Sequence, residues 1–236
     1  MARTKIVATI GPSCRDVPIL EKMIQKGMDI ARINCSHAEH GFIRDVVKDI
    51  REVGEKLNEP VGILLDLSGP KLRTRKLKNS EPVTLIEGSQ FTLTSRKLEG
   101  DDTIVSTSYE PLSREVNPGD TLLLDDGLLE LRVMETNETD TICKVITGGI
   151  LKDHQGLNIP GVRLSIPALT DKDKADLIVG LEAGVDFVAL SFVRDAKDIL
   201  ELKALTADHW PQPIIIAKLE KPEAIATAQR SPILWE

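Results

Sequence analysis

Lys218 and Glu220 stand two apart at the end of the run PIIIAKLE (213–220), an ammonium and a carboxylate closing an apolar stretch. DIARINCS (29–36) repeats that spacing with Arg32, Asn34 and Ser36, and VGILLDLSG (61–69) is apolar through Leu65 before it presents Asp66. In a strand alternate side chains share a face, so Arg32, Asn34 and Ser36 point one way and Ile33 and Cys35 the other. The group types suit one kind of chemistry. Arg32 and Lys218 are cations fit for charge building on phosphate or enolate oxygens, and Asp66 and Glu220 are hard oxygen ligands for magnesium or a monovalent ion. The competing reading is a Lys218–Glu220 pair that merely caps a buried strand, since buried charges persist only when paired. Three strands ending in the same way favour a shared site.

Other chemistries lack residues. His37 and His40 fall at a helix start, and His154 and His209 fall in polar loops, so no Ser/His/Asp or Cys/His arrangement forms. A Walker-type glycine loop is missing as well. Cys14, Cys35 and Cys143 are odd in number and lack a CxxC spacing, which favours buried thiols over a disulfide or zinc site.

The elements that must carry these residues alternate. KIVATIG precedes a helical stretch from Asp16 to Lys26, and DIARINCS precedes a helix from about His40 to Leu57. In the latter, Ile43, Val47, Ile50, Val53 and Leu57 recur at three- and four-residue steps. VGILLDLSG is the third strand. From about Pro70 to Ser165 helical periodicity stops; short alternating runs are punctuated by NPGD, DDG, GG and IPG, the pattern of a small all-β domain. Thr170 and Asp173 then open a helix through Leu181 with a capping-box spacing. DFVALSF, a helix from about Ala196 to Asp208, and PIIIAKLE follow, the last apolar enough to be buried on both faces. The predicted fold class is α/β: five strands alternating with helices, over residues 1–69 and 166–236, argue a parallel sheet or a β/α barrel, interrupted by a small all-β domain over 70–165. In parallel β/α architectures the C-terminal strand ends carry the site, which is where the polar residues fall.

With 236 residues, 41% hydrophobic and 28% charged, the composition is that of a globular chain. A net charge of −7 without a basic cluster, with one tyrosine and two tryptophans, argues against a nucleic-acid partner. Nothing resembles a signal peptide or a span, so the expectation is a cytoplasmic protein with no membrane partner.

Read together, TKIVATIGPSC, DIARINCSHAEHG, LLDLSGPKLRT, DTLLLDDGLLEL, GLNIPG, IPALTDKDKADL, DFVALSFVRDAKDI and IIAKLEKPEA closely resemble pyruvate kinase, in family order and across nearly the whole chain. The resemblance implies a glycolytic transferase that moves a phosphoryl group from phosphoenolpyruvate to ADP, giving pyruvate and ATP. It also implies a partial (β/α)8 TIM barrel over residues 1–69 and 166–236 with an inserted all-β barrel lid over 70–165, nucleotide binding, magnesium and potassium, and a homo-oligomeric full-length parent. It implies that Arg32 and Arg73 contact the transferring phosphoryl group, that Lys218 stabilises its charge and the enolate, and that Glu220 binds magnesium. Asn34, Ser36, Asp66 and the carbonyl of Leu67 are the implied potassium ligands.

The chain departs from the family pattern in four places. Lys71 stands where potassium-dependent members carry glutamate, which leaves open whether potassium or the Lys71 ammonium supplies the positive charge. Gln155 replaces a lysine expected near the nucleotide phosphates, and Ala38 replaces a glycine. The chain ends before the ARGDLG-type motif, the threonine region and the C-terminal domain, and ATAQRSPILWE resembles the family poorly. The expectation is therefore a chain cut short, with little activity alone. Two rival readings are a non-catalytic remnant or binding module of the family, and another phosphoenolpyruvate- or pyruvate-binding barrel such as an aldolase-like lyase. The insertion between LLDLSGPKLRT and IPALTDKD argues against the lyase.

Overall fold

The computed structural model of the protein describes residues 4–162, 164–220 and 224–225; the tail expected to resemble the family poorly lies, but for Ala224 and Ile225 just before it, outside them. In chain order the elements are β1 (Ile6–Thr9), α1 (Val17–Gln25), β2 (Met28–Asn34), α2 (His40–Leu57), β3 (Gly62–Leu67), β4 (Val83–Leu85), β5 (Gln90–Thr94), β6 (Ile104–Ser106) and α3 (Leu112–Glu115). There follow β7 (Thr121–Leu124), β8 (Leu129–Thr136), β9 (Asp140–Thr147), β10 (Gly149–Leu151), β11 (Leu157–Asn158), α4 (Asp171–Ala183), β12 (Phe187–Leu190), α5 (Ala196–Thr206) and β13 (Ile214–Ala217). The chain divides into two compact units, Met1–Pro70 with Pro167–Glu236, and Lys71–Ile166.

The first unit is a parallel five-stranded sheet in the order β1-β2-β3-β12-β13 with helices in the crossovers. Its register places Asn34 beside Asp66, Asp66 beside Ala189, and Ala189 beside Ile216, so the strand ends lie level. Period-two alternation sorts the faces. Ile33, Cys35, Ile63, Leu65, Leu67, Val188 and Leu190 join the helix-covered core, where Ile43, Val47, Ile50 and Val53 of α2 also pack. The opposite face carries Thr9, Arg32, Asn34, Asp66 and, just past the strands, Ser191 and Lys218.

Helix ends follow their local chemistry. Thr170 and Asp173 form a reciprocal capping box at the start of α4, and Gly184 ends that helix in the left-handed region at φ 86°. The helix thus runs two residues past the predicted Leu181, and α5 stops two short of Asp208. One sequence expectation is corrected: β13 is not buried on both faces. Ile215 and Ala217 pack toward the core, whereas Ile214 and Ile216 are 60% and 37% exposed. An unbroken apolar run does not reveal which face finds a partner.

The second unit is all β apart from the four residues of α3 and two short 3-10 turns, a helix that the pattern of residues 70–165 did not predict. A six-stranded sheet runs β11-β7-β8-β9-β5-β6, with a β10–β4 pair beside it. The segment from Leu72 to Arg75 closes the ring, because it bonds to both ends of that sheet. Thr74 N–H donates to the Gln155 carbonyl at 2.9 Å and Leu157 N–H to the Leu72 carbonyl at 2.9 Å; on the other side Arg75 N–H donates to the Ser106 carbonyl at 2.7 Å. Closure removes the open edges of a small sheet, and Phe91, Leu93, Leu122, Leu131, Cys143 and Val145 fill the interior. At the corner before β10 a Cβ on Gly148 would lie 2.5 Å from the Leu85 carbonyl oxygen, so only glycine lets the two backbones approach. No helix among the described residues is long and apolar enough to cross a membrane.

Candidate active site

Asp66 is the hub of the first unit's polar face. Its side chain is 4% exposed and is matched by two cations on the same face, one from β2 on one side of β3 and one from the end of β13 on the other. Arg32 Nε donates to Oδ2 at 2.7 Å with Nη2 at the same oxygen, and Lys218 Nζ donates to Oδ1 at 3.1 Å. Arg32 also reaches Thr9 Oγ1 through Nη1 at 2.7 Å. The cations keep 31% and 29% of their side-chain surface open, so both remain available to an anion while the carboxylate beneath them is not. The buried carboxylate thus anchors two partly open cations at the rim of strand ends, where their exposed faces can meet an anion.

The second charged residue of PIIIAKLE is close but not the main partner of the first. Glu220 Oε1 lies 3.4 Å from Lys218 Nζ, farther than Asp66, so simple mutual capping does not describe the pair. Lys218 Nζ also donates to Ser191 Oγ at 2.9 Å, and Glu220 Oε2 accepts the Phe192 N–H at 3.0 Å. Asn34 Oδ1 accepts the Ser36 N–H at 3.0 Å, and the Leu67 carbonyl accepts the Ser191 hydroxyl at 2.6 Å.

Beneath this rim a layer of hydrogen bonds ties the loops down. Asp173 of the capping box accepts the Gly69 N–H at 3.2 Å, which couples the loop after β3 to the start of α4. Gly69 has φ 62°, and a Cβ there would stand 3.1 Å from both the Phe192 ring and the Ser191 carbonyl oxygen. Lys172 Nζ donates to the Cys35 carbonyl at 2.7 Å and pairs with Asp176, whose other oxygen lies 3.1 Å from His40 Nε2. His40, at the start of α2 as expected, thus has a hydrogen-bond partner in a buried carboxylate while its own side chain is 48% exposed. Burial, with Asp176 adding to it, pushes the Cys35 thiol well above its ordinary pKa.

Of the candidate residues singled out in the sequence, the fold brings together Arg32, Asp66, Lys218 and Glu220 by direct contacts and sets Asn34 beside Asp66 in the register, with Ser36 hydrogen-bonded to Asn34. Lys71 and Arg73 belong to the second unit. There Arg73 N–H donates to Ser108 Oγ at 2.9 Å and its Nη1 to the His154 carbonyl at 3.0 Å. Thr9, Ser191, Phe192 and Lys172 were missed. Ser191 had a readable signal, since it is the polar residue that follows the apolar run FVAL as Asp66 follows ILL; the others act through backbone groups or across long separations that no pattern reports.

As to metals, no three His, Cys, Asp or Glu side chains converge among the described residues. Glu220 nevertheless fits magnesium as a single ligand, because this ion is commonly held by one or two carboxylates plus substrate phosphates and water. For a monovalent ion the donors are all oxygens of the right hardness. Ser68 Oγ, buried in the loop that carries the Leu67 carbonyl, has no hydrogen-bond partner among the described residues, an unclaimed oxygen that suits such an ion.

The comparisons with known proteins agree with this architecture. The family description "Pyruvate kinase, barrel domain" matches residues 1–232, further than the poor resemblance expected of ATAQRSPILWE. Pyruvate kinase 2 of Synechocystis sp. is 49% identical over 96% of this chain and 39% of its own length; pyruvate kinase of Clostridium perfringens is 43% identical over 95% and 48%. A solved pyruvate kinase from Cryptosporidium parvum superposes with a TM-score of 0.87 at 33% identity, covering 96% of this chain and 48% of that one. The chain spans less than half the length of these relatives. A match over nearly every residue, on a parallel sheet whose strand ends carry the expected cations and carboxylates, leads to one conclusion: the chain belongs to the pyruvate kinase family, as part of its barrel domain.

Proposed function

We propose that these residues supply the phosphoenolpyruvate side of a pyruvate kinase active centre, in which the phosphoryl group passes to ADP to give pyruvate and ATP. The bond from phosphorus to the enol oxygen breaks, a bond to the terminal oxygen of ADP forms, and the enolate takes a proton at carbon to become pyruvate. The observation that carries the reading is the Asp66 hub, which sets Arg32 and Lys218, 186 positions apart in the sequence, on one carboxylate.

Phosphoryl transfer asks the protein mainly for positioning and charge stabilisation. Arg32, with Arg73 from the second unit, is assigned to the phosphoryl oxygens. Lys218 is assigned to the phosphoryl group and to the oxygen that becomes the enolate, and Asp66 keeps both first-unit cations oriented toward the substrate. Glu220, held by the Phe192 N–H, is the proposed magnesium ligand; the ion would supply electrostatic stabilisation to phosphate oxygens. Asn34, Ser36, Asp66 and the Leu67 carbonyl are the proposed potassium ligands, with Lys71 as the alternative source of positive charge. A homo-oligomeric parent and a cytoplasmic place in glycolysis belong to the same proposal.

Pyruvate formation by the protein that carries this chain, coupled to NADH oxidation by lactate dehydrogenase, is the test. Lys218→Met should lower kcat by about a hundredfold or more, the range seen when one transition-state donor is lost. Unchanged turnover in that variant would overturn the assignment, and phosphoenolpyruvate binding without turnover in the parent would favour the binding-module reading. If the Lys71 ammonium replaces potassium, exchanging potassium for tetramethylammonium leaves the rate little changed and Lys71→Glu introduces a potassium requirement; a strict requirement in the parent refutes that role.

A further inference from the structure

The loop after β12 touches both charged residues of PIIIAKLE with two consecutive positions. Ser191 is 4% exposed, and its hydroxyl donates its only proton to the Leu67 carbonyl at 2.6 Å. The lone pairs must then face Lys218 Nζ, which donates to them at 2.9 Å. The next residue, Phe192, has φ 55°, a conformation rare and strained for a bulky side chain. That conformation accompanies the hydrogen bond from its N–H to Glu220 Oε2 at 3.0 Å. Gly69, which alone tolerates the Phe192 ring and the Ser191 carbonyl at close range, lies in the loop that follows Leu67.

We propose that Ser191 and Phe192 form a positioning clasp for the reaction assigned above: the Ser191 hydroxyl fixes where the Lys218 ammonium stands, and the left-handed Phe192 backbone fixes the Glu220 carboxylate beside it. Without the hydroxyl, Lys218 keeps only Asp66 and Glu220 as described partners and is drawn toward the buried Asp66 and away from the open rim. The clasp also links the Leu67 carbonyl to the ammonium through one hydroxyl, so a displacement at either end is felt at the other. Its catalytic meaning rests on the function proposed for Lys218; its geometry does not.

Two measurements on the full chain and the protein that carries it separate these levels. Ser191→Ala should lower kcat by about ten- to a hundredfold, the scale of a misplaced catalytic group, with KM for ADP changed less than about twofold. In a Lys218→Met background the same substitution should cost nothing further, and Ser191→Thr, which keeps the hydroxyl, should restore most of the rate. A Ser191→Ala loss that persists in full without Lys218 would make Ser191 a general structural residue and overturn the clasp. Independently of turnover, the 15N–1H signal of the Lys218 ammonium, assigned by its loss in Lys218→Met, should be in slow exchange in the parent and vanish into solvent exchange in Ser191→Ala. Persistence of that signal also overturns the proposal. If the parent makes no pyruvate yet loses the signal on Ser191→Ala, the clasp stands and the functional reading falls.

Discussion

Replacing Asp66 by asparagine removes one charge and almost no volume, and the structure sets its cost. Arg32 and Lys218 contact the carboxylate at 2.7 and 3.1 Å, and each attraction is worth about 4 kcal/mol near 4 Å at an effective dielectric of about 20. Much of that gross attraction offsets the desolvation of the carboxylate. Because both cations are about 30% exposed, water relieves part of their repulsion once the anion is gone. Breaking a buried pair usually costs about 3–5 kcal/mol, and the open cations place this case near the lower end, about 3 kcal/mol. At about 2–4 °C per kcal/mol for a chain of this size, Asp66→Asn should lower Tm by about 6–12 °C. Scanning calorimetry of the chain, following the transition of the unit that holds Asp66, reads the shift. Glu182→Gln is the control, since Glu182 pairs with Arg44 on the surface, where ion pairs contribute about 0–1 kcal/mol. A Tm within about 2 °C of the parent, or a shift no larger than the control's, would refute the view that Asp66 is the main counter-charge of Arg32 and Lys218.

Cys35 and Cys143 are buried, and burial pushes the Cys143 thiol up to about 12, so a thiolate reagent under native conditions should label Cys14 first and the other two only on unfolding; equal rates for all three would contradict the buried assignments. Burial alone would raise the pKa of Glu115, but hydrogen bonds from the Ser165 hydroxyl, the Tyr109 hydroxyl and the Ser165 N–H outweigh it and hold the carboxyl below its ordinary value. A group depressed in the folded state stabilises above its unfolded pKa and loses that contribution as pH falls through the folded one, so the Tm gap between parent and Glu115→Gln should shrink as pH falls below the ordinary glutamate value. A constant gap would refute the linkage. Gly148→Ala forces a Cβ to within 2.5 Å of the Leu85 carbonyl oxygen, and the required backbone shift should cost the second unit about 1–3 kcal/mol in urea unfolding; an unchanged midpoint would show that this corner yields freely.

Local chemistry in the sequence determined much of this protein. The 3.6-residue recurrence from Ile43 to Leu57 defines α2, Thr170 with Asp173 caps α4 as their spacing requires, and strand alternation alone assigns Arg32 and Asn34 to one face and Ile33 and Cys35 to the other. These features depend on neighbours within a few residues, which a sequence displays directly. What lay outside that range only the tertiary structure decided. PIIIAKLE reads as doubly buried, but Ile214 and Ile216 are exposed because burial depends on which elements face a strand, not on its own composition. Lys218 and Glu220 look like a pair by spacing, yet parallel register lays Asp66 beside β12 and level with the end of β13 one strand further on, and the shorter contact goes to the residue 152 positions away. Ser191 and Phe192 looked like the end of an ordinary strand; their role arises from a hydroxyl with one proton and a backbone N–H turned by a positive φ, directions that exist only once the chain is folded.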